Sequence, residues 1–194
     1  MTNKVFKELR DWTVLAVVAG GLYFTGYHTE VIGQIQRVLI MTGLLQPDLD
    51  IPEADYQLAD FDLQFVDSSG RTLQLADYQG KTIFLNFWAT WCPPCIAEMP
   101  DINNLYNQVG SDVVFLLISV DKEEEKVWAF EERKSFDYPL YRLSGGLPAA
   151  YHSGAVPTTF VIDPTGKIVM RREGMAKYDT QKFKDFLNSL SRTK

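Results

Sequence analysis

An apolar run, Thr82-Ile83-Phe84-Leu85-Asn86-Phe87-Trp88, leads through Ala89-Thr90-Trp91 into Cys92-Pro93-Pro94-Cys95, where a helical pattern begins. No other stretch constrains the fold as much. The run reads as a buried strand. Pro93 and Pro94 suit a first helical turn, where a missing N–H costs nothing. Cys92 then lies at the helix N-terminus. Unpaired backbone N–H groups and the helix dipole favour a thiolate there and lower the cysteine pKa. The thiolate is the attacking species in thiol–disulfide exchange. Cys95, one turn further in, can close on Cys92 and release a mixed disulfide.

Other uses of such a pair fit less well. A structural zinc site needs four ligands, and the remaining candidates, His28 and His152, lack ligand spacing. A c-type haem needs His directly after the second cysteine, and Ile96 stands there. A purely structural disulfide closing so short a loop adds little stability. Redox exchange is the favoured reading.

The stretch Asn86 to Cys95, followed by Glu98 and Pro100, resembles the thioredoxin superfamily. It is most similar to the TlpA-like branch of membrane-anchored, extracytoplasmic thiol–disulfide oxidoreductases. A second match is Val156-Pro157-Thr158-Thr159-Phe160-Val161-Ile162-Asp163, and the resemblance runs from about Phe61 to the C-terminus. Peroxidatic members of the related redoxin scaffold carry a threonine three residues before their cysteine, and here Ala89 takes that position.

At 194 residues the chain has room for one domain and an appendage. A net charge of -6 argues against nucleic acid as a partner. Two cysteines in one motif make no disulfide framework, so the cellular compartment has to be read from the N-terminus.

Residues 1–45 read as that appendage. Trp12 to Tyr27 is uncharged, and extension to Thr29 gives a span of thin-membrane length. Lys4, Lys7 and Arg10 precede it, which places the N-terminus in the cytoplasm. Tyr23, Phe24 and Tyr27 suit an interfacial belt, and His28 reads as a polar residue at the boundary. No clear cleavage site follows. The expectation is therefore an uncleaved, single-pass signal anchor over about residues 12–29, with the rest of the chain outside the cell (inner) membrane, in the periplasm or its equivalent. Residues 31–45 have helical apolar spacing. They fit an amphipathic segment on the membrane surface, a continuation of the first helix, or a helix packed on the domain. Residues 46–60, acidic and with Pro47 and Pro52, read as a linker.

Residues 61–194 read as the domain. Phe61–Val66 and Thr72–Leu75 form an N-terminal hairpin around Asp67-Ser68-Ser69-Gly70. A helix follows Cys92 as far as about Val109, and Pro100 predicts a kink in it. Val113–Val120 suits a central parallel strand. Acidic Glu123-Glu124-Glu125 opens the next helix. Phe136–Leu143 is extended, and a short helix is expected near Ala149–His152. Thr158–Asp163 and Lys167–Arg172 pair as a hairpin, and Asp179–Leu190 is an amphipathic helix. The fold class is α/β: a thioredoxin-like mixed sheet with helices on both faces and an extra N-terminal hairpin.

The candidate catalytic residues are Cys92 as nucleophile, Cys95 as resolving thiol and Glu98. Glu98 lies three residues after Cys95 on the same helix face. The resemblance implies a glutamate close to the active site, where a partly buried carboxyl would relay a proton to or from Cys95; the alternative is a solvated helix glutamate. Asn86 stands where cytoplasmic thioredoxins have a buried aspartate, which shifts proton transfer toward Glu98. Trp91, Pro93, Pro94, Val156 and Pro157 are the candidate substrate-binding residues. Trp91 is either an apolar lip for a docking protein or a packed aromatic. Val156-Pro157 resembles the family's cis-proline loop, which faces the cysteines and offers the Val156 backbone to a substrate strand. The Cys92–Cys95 disulfide itself is the redox centre, with no metal or other cofactor expected. The resemblance implies reduction of selected proteins with thiols or disulfides, apocytochrome c among them, and a membrane thiol electron donor. The alternative function is a redox-dependent client-binding or assembly module with little turnover.

Overall fold

The computed structural model describes residues 2–24, 28–49, 52 and 56–192. Eight strands form one sheet: β1 (Gln57–Leu58), β2 (Gln64–Val66), β3 (Thr72–Gln74), β4 (Thr82–Trp88), β5 (Val113–Ser119), β6 (Leu140–Leu143), β7 (Thr158–Ile162) and β8 (Lys167–Glu173). Their spatial order is β1-β8-β7-β4-β5-β6-β2-β3. The β4, β5 and β6 strands run parallel to one another, and every other pairing is antiparallel. Two largely apolar strands, β4 and β5, take the middle of this sheet. All seven residues of β4 are buried, as expected of a strand covered on both faces.

Alternate residues of β4 feed two cores. Phe84 and Trp88 point to one, and Ile83, Leu85 and Phe87 to the other. The first core is closed by three helices: α3 (Pro93–Val109), α4 (Glu124–Lys134) and α5 (Gln181–Arg192). The second holds no residue from these helices. It is closed by Leu63 and Phe65 of the hairpin region, by Leu75 in a 3₁₀ turn and by Tyr151 in another. The expectation of helices on both faces is corrected accordingly. The steps β4→β5→β6 move the same way along the sheet, and right-handed crossovers then put both connecting helices on one face.

Two further helices precede the sheet, α1 (Thr2–Phe24) and α2 (His28–Met41). Among the described residues no helix is long and apolar enough to cross a membrane. The expected span over residues 12–29 includes residues 25–27, which lie outside the described residues. The uncharged part of α1, from Trp12 to Phe24, is about 13 residues or roughly 20 Å long, against a hydrocarbon core of about 30 Å. Tyr27 and the side chains of Lys4, Tyr23, Phe24 and His28 lie outside the described residues. Of the three settings expected for residues 31–45, the structure shows packing on the domain: α2 lies against α3. Gln57–Leu58, within the stretch read as linker, pair with β8 as an edge strand.

Candidate active site

The β4 strand ends at Trp88, and four residues, Ala89 to Cys92, separate it from α3. Cys92 is the N-cap, with extended φ and ψ of -103° and 98°, and Pro93 and Pro94 occupy the first turn. The Cys95 N–H donates to Cys92 Sγ at 3.2 Å, so the sulfur takes one of the N–H groups left open at the helix start. Cys92 and Cys95 are joined in a disulfide, with their Cα atoms 5.3 Å apart. Cys92 is 3% exposed and Cys95 is fully buried, so Cys92 is the more accessible residue of the pair.

The loop ahead of β7 faces this pair. The Val156–Pro157 peptide bond is cis, and the Val156 carbonyl oxygen lies 3.6 Å from Cys92 Sγ. Two stretches 64 residues apart in the chain thus meet at one sulfur. Trp91 is 60% exposed beside them, so it is a surface aromatic and not a packed one.

Glu98 lies one turn below Cys95 and has no exposure at all, which overturns the solvated alternative. Its Oε1 accepts from Asn86 Nδ2 at 2.9 Å, and its Oε2 accepts from the Ala176 N–H at 3.1 Å. Asn86 Nδ2 also donates to Thr159 Oγ1 at 2.8 Å, and that oxygen accepts from the Tyr178 hydroxyl at 2.7 Å. Desolvation dominates: it pushes the Glu98 carboxyl from its ordinary 4.5 up to about 8, against the opposing effects of its two hydrogen bonds and the Arg172 charge. A carboxyl titrating there is poised to give or take a proton near neutral pH. Burial also raises the Tyr138 and Tyr178 hydroxyls well above their ordinary range, and the Glu98 charge adds to this.

One part of the site was missed in the sequence. Asp121, at the end of β5, accepts the Thr90 N–H and the Thr90 hydroxyl at 2.8 Å each, and the Ser119 hydroxyl at 2.6 Å. This buried carboxylate ties the Ala89-Thr90-Trp91 loop to the neighbouring strand and so fixes the approach to Cys92. The signal available was an aspartate ending an apolar strand next to the one that delivers the cysteines. Among the described residues no cluster of three or more His, Cys, Asp and Glu suits a metal ion.

A disulfide across the first turn of a helix, with a backbone carbonyl held against its outer sulfur, is the apparatus of thiol exchange. The fold and site define a thioredoxin-like thiol–disulfide oxidoreductase. The chain belongs to the AhpC/TSA family, whose model matches residues 54–171. Thiol-disulfide oxidoreductase ResA of Geobacillus kaustophilus (strain HTA426) is 37% identical, over 87% of each chain. The protein of the same name from Oceanobacillus iheyensis is 35% identical, over 98% of this chain and 94% of that protein. A crystal structure of a thiol:disulfide interchange protein of the thioredoxin family from Chlorobium tepidum TLS superposes with a TM-score of 0.56 at 26% identity, covering 71% of this chain and 99% of that one.

Proposed function

We propose that this chain reduces disulfides in extracytoplasmic proteins, with Cys92 as nucleophile, Cys95 as resolving thiol and Glu98 as the proton carrier beside Cys95. The observation that carries the reading is the Cys92–Cys95 disulfide at the start of α3 with a buried Glu98 one turn below it. In the reduced protein the Cys92 thiolate attacks a substrate disulfide. A mixed disulfide forms, and the first substrate thiolate leaves and takes a proton from solvent. Cys95 then gives its proton to the Glu98 carboxylate and attacks Cys92 Sγ. The second substrate thiolate leaves, the Cys92–Cys95 disulfide closes, and two electrons have passed to the substrate. The proton on Glu98 returns to solvent or to the departing thiolate. A thiol donor at the membrane restores the reduced pair.

The Val156 carbonyl and exposed Trp91 support the docking of an extended substrate chain beside Cys92. Pro93 and Pro94, both half-buried, flank the same opening. A membrane-side location is supported by the apolar surface of α1, on which Phe6, Leu9, Trp12, Val14, Leu15, Val17 and Val18 are exposed. By resemblance to the TlpA-like branch, apocytochrome c cysteines are the first substrate class to try.

Insulin reduction by the full chain tests the reading. Wild type turns over, Cys92→Ser does not, and Cys95→Ser accumulates a mixed disulfide. A wild type that reduces nothing, while Cys92→Ser still retains client protein, would replace this reading with that of a client-binding module.

A further inference from the structure

A helix lying on a sheet buries one side and shows water the other. The first two turns of α3 do not behave this way. Cys95, Ile96, Ala97, Glu98, Met99, Asp101 and Ile102 are all buried, and at 100° per residue they cover the whole circumference. A second layer must cover the outer side, and α2 supplies it.

Its inner stripe is Thr29, Gly33, Arg37 and Ile40, at helical spacing. Thr29, Gly33 and Ile40 are buried, while Val31, Ile32, Ile35, Val38 and Leu39 on the other side are exposed. Gly33 sits close against α3: a Cβ there would stand 3.0 Å from the Pro93 carbonyl oxygen and 3.4 Å from Ile96 Cβ. Next along the stripe, Arg37 reaches Asp101 at 4.0 Å. Asp101 is 5% exposed and follows Glu98 by three residues on α3. Beyond α2, the Leu45 carbonyl accepts the Lys177 N–H at 2.7 Å, and Pro47 is buried. The residue before Lys177 is Ala176, whose N–H donates to Glu98. The N-terminal segment thus touches both walls of the Glu98 compartment, α3 and the loop after β8.

We propose that α2 and the turn following it form an intramolecular lid that keeps the Glu98 compartment dry, with Gly33 and Arg37 as its positioning residues. The role of the lid in exchange rests on the proposed function of Glu98. The lid itself does not.

The groups around Glu98 bear on how it titrates. They are Asn86 from β4, Arg172 from β8, Cys95 and Asp101 from α3, Tyr138 ahead of β6, and Tyr178 with the Ala176 N–H from the loop after β8. Asp101 is faced in turn by Arg37, Lys177 and Asp179. The cations among them hold Glu98 or Asp101 toward the charged form, while burial and the neighbouring carboxylates oppose it. Opening α2 would admit water and remove Arg37 together. The loss of desolvation, the largest of these influences, lowers the Glu98 midpoint.

The test uses the full chain in its oxidised form. The infrared carboxyl band of Glu98, assigned by its loss in Glu98→Gln, is titrated with pH. Amide hydrogen exchange reports α2 docking in the same samples. In wild type the midpoint lies near 8. Gly33→Val, with its side chain driven against a backbone oxygen, speeds exchange of the α2 amides and lowers the midpoint by at least about one pH unit. Gly33→Ala falls between the two. Arg37→Gln speeds α2 exchange at least roughly threefold and lowers the midpoint in the same direction. A midpoint that stays near 8 while the α2 amides exchange freely overturns the lid. So do α2 amides that stay protected in all three variants. If Gly33→Val fails to fold, Gly33→Ala and Arg37→Gln decide. The readout needs no turnover, so a protein inactive toward insulin can still pass or fail.

Discussion

Replacing Glu98 by glutamine isolates what the buried carboxyl does to the protein. Its titration moves from an ordinary 4.5 up to about 8 on folding. Between those values the folded state holds a proton that the unfolded state has released. Stability therefore falls as pH rises through this window, by about 1.4 kcal/mol per pH unit. Over the whole window the loss is on the order of 5 kcal/mol, a large share of a typical domain's stability. Below the unfolded value the penalty is absent. Glutamine does not titrate, so the variant escapes it. It has a cost of its own, because Oε1 and Oε2 of Glu98 both accept from N–H donors, and the glutamine NH₂ must face one of them. Asn86 Oδ1, buried without a partner, can accept that NH₂ if the Asn86 amide turns over, at the loss of its bond to Thr159. A net cost of about 1–3 kcal/mol follows, independent of pH. Urea unfolding of both oxidised proteins at pH 5, 6, 7 and 8 gives the comparison. Glu98→Gln should be the less stable at pH 5 and the more stable at pH 8. Parallel stability curves for the two proteins would refute the reasoning, since the carboxyl would then titrate alike in both states.

Three more outcomes follow from the same geometry. Asn86→Asp puts a second carboxyl against Glu98, where the present contact is 2.9 Å; stability should fall with rising pH more steeply than in wild type, by at least about 2 kcal/mol more between pH 5 and 8 in urea titrations. Asp121→Ala strips the Thr90 N–H, the Thr90 hydroxyl and the Ser119 hydroxyl of their acceptor; the loss should be about 2–4 kcal/mol in urea unfolding, with slower insulin reduction at temperatures where the variant is folded. Trp91→Ala removes a residue that is 60% exposed; stability should change by less than about 0.5 kcal/mol, while KM for a protein substrate rises roughly three- to tenfold and kcat holds.

The elements of the domain were legible because each carries its own local signal. The β4 and β5 strands are largely apolar, α3 opens on two prolines, and Pro164-Thr165-Gly166 marks the turn between β7 and β8. The Cys92–Cys95 pair was legible for the same reason, being a contact between residues three apart. Glu98 was placed on the right helix face, but helical spacing cannot say how deeply a face is buried. The Asp121 clamp was not legible, because it joins Thr90 and Asp121 across neighbouring strands and no short-range pattern marks such a pair. The apolar run of residues 12–29 is legible in the sequence, but no described helix is long and apolar enough to cross a membrane.

By itself, then, the sequence determined what can be settled within one turn of helix or one strand: which stretches make the main strands and helices, which sulfurs can join, and which carboxyl follows them. Tertiary structure alone decided the environment of those groups. It brought Val156 to Cys92, Asn86 and Ala176 to Glu98, and α2 over the outer side of α3. The physical reason is that a carboxyl's charge state depends on how much water and which dipoles surround it, and here those are set by chain segments up to 78 residues away.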